Sequence, residues 1–90
     1  MSELTPELLT ARLEALSTVA IRSGAAAPAI ARLLEAASVA TLQAVALDLL
    51  YSAPVQDALV LVPVQEEVRA LVANRPAAAR PVLTRLLDAA

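Results

Sequence analysis

Six prolines, at positions 6, 28, 54, 63, 76 and 81, limit this chain to short helices. Proline lacks an amide hydrogen and clashes with the preceding turn, so it fits the first turn of a helix and is excluded from the interior. It also biases the residue before it away from the α region. Each proline is therefore a boundary, where one helix stops and another can start. The single glycine, Gly24, adds one more break.

Between these boundaries the periodicity is helical. Thr5 is placed to cap a helix that has Pro6 at its first position, and Leu4 to staple onto Leu9. Leu9, Leu13, Leu16 and Ala20 then follow at spacings of four, three and four, which puts them on one stripe. Gly24 is the expected stop, because it takes positive φ without steric cost. A second helix starts near Pro28 and carries Ile30, Leu33, Leu34 and Ala37. No proline or glycine lies between Ala29 and Ala53, so that stretch reads either as one helix to about Tyr51 or as two that break near Ser38. Further helices are expected from about Pro54 to Val62, from Pro63 to Ala73 with a stop at Asn74-Arg75-Pro76, and from Pro81 to about Ala89. The tract Ala58 to Val62 would be a lone strand in a helical chain. The fold class is all-α, with residues 1–90 forming one domain of short stacked helices. Those helices build either a small right-handed solenoid or a compact bundle.

Internal repetition bears on that choice. Residues 19–37 match residues 72–90 at an offset of 53, with 11 of 19 positions identical. Val45-Ala46 precedes Pro54 by the interval that separates Val19-Ala20 from Pro28 and Val72-Ala73 from Pro81, and Leu59 stands where Leu33 and Leu86 do. The period is 26 to 27 residues, with units around 15–37, 41–62 and 68–90. Units of this size cannot bury an apolar face alone, so they stack. The stretch Val68-Arg69-Ala70-Leu71-Val72-Ala73-Asn74-Arg75-Pro76, with Pro81-Val82-Leu83-Thr84-Arg85-Leu86-Leu87-Asp88, resembles a unit of the leucine-rich variant repeats, relatives of HEAT-type helical repeats. The resemblance is good over 68–88, partial over 15–37 and poor over 41–62, where Leu47-Asp48-Leu49 replaces the asparagine-proline corner. It implies alternating long and short helices in a right-handed superhelix, and a protein-binding role.

Composition narrows the chemistry. The 90 residues include 22 alanines and 17 leucines but no histidine, cysteine or lysine. Thiolate and imidazole nucleophiles, thiolate-held clusters and the usual zinc ligand sets are thereby excluded, and no cofactor is expected. Ten serine and threonine hydroxyls have no histidine or lysine to activate them, and the neighbours Glu66 and Glu67 point about 100° apart on a helix. The chain reads as no enzyme. Its seven arginines are scattered around a net charge of -2, with no aromatic residue interleaved, so nucleic acid is not an expected partner. The acidic start argues against a signal peptide, and the longest uncharged run, Ala36 to Leu47, is too short for a membrane span. A cytoplasmic location is the expectation.

Mean hydropathy is +0.68, more than a solvated monomer of this size needs, so part of the apolar surface is expected to meet a partner. The middle unit is the expected place. Where the outer units carry Arg32 and Glu35, or Arg85 and Asp88, it has Ala58 and Leu61, and between Leu49 and Gln65 the one charged residue is Asp57. Leu50, Tyr51, Val55, Leu59, Val60 and Val62 form the candidate association surface, for a second copy in a homodimer of obligate kind or for another protein. A competing reading is a carrier of small apolar molecules with an interior cavity. Arg22, Asp48 and Arg75 occupy equivalent positions and form a candidate salt-bridge ladder or anion site.

Overall fold

The computed structural model describes residues 4–74 and 79–89, and in it the prolines stand where helices begin. Six helices follow one another: α1 (Pro6–Arg22), α2 (Ala27–Ala36), α3 (Val39–Tyr51), α4 (Ala53–Leu59), α5 (Val62–Asn74) and α6 (Arg80–Ala89). Pro6 is the first residue of α1, and Pro28, Pro54, Pro63 and Pro81 are each the second residue of their helix. Pro76 and the expected stop around it lie outside the described residues. Among those described there is no strand, and the stretch from Ala58 to Val62 turns from α4 into α5.

The caps explain the remaining boundaries. The Thr5 hydroxyl accepts the Leu8 N–H at 3.2 Å and starts α1, with Leu4 packed against the core. Ala37 and Ser38 are extended, with ψ of 141° and 157°, which ends α2. Ser38 then caps α3 by accepting the Thr41 N–H at 3.1 Å, so the long stretch breaks into two helices without proline or glycine. Ser52 alone connects α3 to α4. Helix α4 ends at Leu59, short of the expected Val62, because the Leu61 N–H bonds back to the Ala58 carbonyl in a terminal turn.

Gly24 behaves differently from expectation. No glycine among the described residues has positive φ, and α1 ends at Arg22. The chain leaves α1 through an extended Ser23 (φ -148°, ψ 113°) and then makes one 3-10 turn, Gly24–Ala26. The reversal is thus made by Ser23.

Each long helix pairs with the short one after it, α1 with α2, α3 with α4 and α5 with α6. Each long helix also packs on the short helix of the next pair: α1 on α4, α3 on α6 and, closing the circle, α5 on α2. In an open stack, units touch their sequence neighbours only. Here the first and third pairs meet, and the outcome is a compact bundle with a radius of gyration of 11.6 Å, close to the ~12 Å expected for a globular chain of this length. The repeat persists in the helix alternation and in Pro28, Pro54 and Pro81, but its core register slips. Val19, Val45 and Val72 are equivalent in sequence, yet they are exposed, buried and half-buried in turn.

Leu9, Leu13, Leu42, Leu49, Leu83 and Leu86 are fully buried at the centre. Ser17 is the buried polar exception on α1, and it is one of the residues around an apolar interior void of about 10 Å³. Among the described residues no helix is long and apolar enough to cross a membrane.

Since Gly24 has no need of positive φ, alanine should fit there. A Cβ at this position would meet Pro63 Cγ at 3.7 Å, ordinary contact distance. Gly24→Ala is expected to raise the unfolding free energy by about 0.4 to 1 kcal/mol through the less flexible unfolded chain, measured by urea denaturation. A loss of stability would contradict this account of the turn.

Candidate functional site: the outer face of α3 and the corner after α4

Helix α3 is apolar around most of its circumference. It buries Leu42, Val45 and Leu49 on one side. On the other side Ala40, Ala44, Leu47 and Tyr51 are all exposed and follow at spacings of four, three and four, which is one helical stripe. A helix with two apolar faces is normally enclosed on both. This one is covered on one face by its own chain. Leu47 is 60% exposed and Tyr51 86%, with Gln43 and Asp48 on either side of the stripe.

The next residue holds Tyr51 outside. Ser52 is buried, and its hydroxyl donates to Glu14 Oε2 on α1 at 2.8 Å. Gln56 Nε2 donates to the Leu49 carbonyl at 3.3 Å, adding a second tie across the corner. The chain therefore dives inward at Ser52 while the tyrosine ring stays in solvent. At the far end of α4, Val60 and Val62 are 56% and 62% exposed on the turn into α5. Helix α4 has seven residues and so spans about 10 Å, which separates Tyr51 from this second apolar corner.

The surface expected from sequence is thus divided. Tyr51, Val60 and Val62 are exposed, and Leu50 is half-buried against the core. Val55 and Leu59 are buried and belong to the core, not to an outer surface. Their neighbour Ala58, which replaces the arginine of the outer units, is buried as well. Ala58 is uncharged where α4 packs among α1, α3, α5 and α6, and Asp57 on the same helix stays exposed. Leu47, Ala40 and Ala44 were missed, although their spacing with Tyr51 is visible in the sequence.

Of the expected ladder, Arg22 and Asp48 are the members among the described residues, and they stand apart. Asp48 lies beside Glu7 and Glu14 in an open cleft of about 280 Å³ against the N-terminal half of α1, whereas Arg22 is the last residue of that helix. The cause is the slipped register, since α3 continues three residues past Asp48 while α1 stops at Arg22. Arg75 lies outside the described residues. A second open groove, of about 540 Å³, runs between α1 and α2 with Arg12, Leu16, Arg32 and Leu33 on its walls. The enclosed apolar space of the core is about 10 Å³, far below the roughly 300 Å³ at which ligand pockets begin.

Comparison of the chain with protein-family models, with curated proteins and with solved structures finds no match. The described residues show an all-α fold of six helices, with nothing specific to the leucine-rich variant or HEAT-type repeats.

The Ser52–Glu14 bond makes a direct prediction. A hydrogen bond to a carboxylate contributes about 1.5 to 3 kcal/mol when buried, and the partly exposed Glu14 reduces that. Ser52→Ala should therefore lower stability by about 1 to 2 kcal/mol, and a double-mutant cycle with Glu14→Gln should show coupling of about 1 kcal/mol. Additive effects would show that the Ser52–Glu14 bond does not hold the corner.

Proposed function

We propose that this chain is a non-enzymatic protein-association module that docks through Leu47 and Tyr51 on α3, supported by Val60 and Val62 at the α4–α5 corner. The observation that carries this reading is Tyr51, 86% exposed at the end of a helix whose inner face is fully engaged. A tyrosine adds rigid apolar area with a single hydroxyl to satisfy, and such residues anchor interfaces more often than their frequency suggests. Leu47 lies one turn before it, where the two side chains offer a continuous contact.

The bundle buries a complete core by itself, which favours an exchangeable complex over the obligate kind expected from mean hydropathy. Much of that hydropathy sits in exposed alanines such as Ala11, Ala15, Ala25 and Ala36, which solvent tolerates singly. The carrier reading has less support, because the interior void is too small and the larger grooves are open to solvent.

Photo-cross-linking of the tagged chain in its native cells, through a photoreactive residue introduced at Gln43 beside the stripe because the chain has no lysine or cysteine, followed by mass spectrometry, tests the docking surface. The double variant Leu47→Glu/Val62→Glu should lose at least fivefold of every specific cross-linked species, while Arg69→Glu, an exposed change on α5, should keep them. Equal recovery from both variants, with helicity intact by circular dichroism, would overturn the assignment.

A further inference from the structure

Building on that docking surface, we infer that its occupant is a second copy of this chain, bound with the two α3 helices antiparallel. The spacing of Ala40, Ala44, Leu47 and Tyr51 reads the same in both directions along the helix. Ala40 and Tyr51 are equally far from the midpoint between Val45 and Ala46, and so are Ala44 and Leu47. A two-fold axis through that midpoint sets Tyr51 level with Ala40 of the second copy, and Leu47 level with its Ala44. Every layer then pairs one large side chain with one small one.

This is the pairing that close helix packing needs. Knobs seat in holes only where the facing residue leaves room, and small residues let helix axes approach toward the lower end of the 8 to 10 Å range. A parallel arrangement would stack Tyr51 on Tyr51 at one end and leave alanine facing alanine at the other. A self-matching patch related by a two-fold axis closes as a dimer and does not propagate into fibres.

The rim sets the strength and its salt dependence. Asp48 flanks the stripe on one side and Gln43 on the other, both exposed. The two-fold axis brings Asp48 of both copies to the same rim, offset along the axis by about 7.5 Å, where like charges repel. The stripe from Ala40 to Tyr51 is about 16 Å long and one helix wide, well below the ~800 Å² per partner of a stable complex. The dimer is therefore weak, strengthened by added salt and favoured at high local concentration.

The chain has no cysteine, so introduced thiols report geometry without background. Ala40→Cys and Tyr51→Cys proteins, mixed in a glutathione redox buffer, should form the mixed disulfide at least ten times more than either like pair. In the antiparallel dimer the like pairs are about 16 Å apart, beyond the ~7 Å a disulfide can bridge. Because Tyr51→Cys removes an anchor, sedimentation equilibrium of the unmodified chain supplies the second measurement. It should show a monomer–dimer equilibrium that Leu47→Glu abolishes and Asp48→Asn tightens about threefold. Statistical disulfide ratios, an excess of like pairs, or a monomer at all concentrations up to about 0.5 mM would overturn the inference. If the chain stays monomeric while the Leu47→Glu/Val62→Glu variant still loses its cellular cross-links, the docking surface stands and the second copy does not.

Discussion

The contact of α5 with α2 joins the last helix pair to the first, and the other packing relies on it. The short helices α2, α4 and α6 have seven to ten residues, lengths at which an isolated helix is barely populated in water. Their stability comes from the long helix each one meets in the neighbouring pair. Without the closure, three stacked pairs would end in two apolar faces that need caps. With it, α2 packs on α5, and Ile30, Leu34, Val64 and Val68 of these two helices are buried.

Rigidity at the α3–α4 corner connects this packing to the proposed role. One residue, Ser52, turns the chain and bonds to Glu14 on α1, so the end of α3 is tied to the longest helix of the bundle. Tyr51 is consequently presented from a fixed backbone and not from a loose loop. A preorganised anchor loses less conformational entropy on docking, which matters most for an interface as small as this one.

Much of the architecture was legible in the sequence because proline acts locally. Its ring decides where a helix can begin whatever surrounds it, and Pro6, Pro28, Pro54, Pro63 and Pro81 all did so. Ser38 was readable as a break for a related reason, since a serine side chain can satisfy the first amides of α3. Gly24 was misread because glycine permits positive φ without requiring it, and Ser23 turned the chain instead. The site was half legible. An apolar stretch shows that burial is needed but not what provides it, so Val55 and Leu59 belong to the core while Tyr51, Val60 and Val62 lie outside. The Arg22, Asp48 and Arg75 ladder assumed that equivalent sequence positions align in space, and for Arg22 and Asp48 the unequal lengths of α1 and α3 undo that alignment.

Tyr51 is the only aromatic residue in the chain, which gives its ring protons an uncrowded NMR signature. In a mixture of isotope-labelled and unlabelled chains at millimolar concentration, filtered nuclear Overhauser spectra separate contacts between copies from contacts within one. The antiparallel α3 dimer predicts intermolecular signals from the Tyr51 ring to the Ala40 methyl group. Intermolecular signals from Tyr51 to another part of the chain, or none at all, would contradict it.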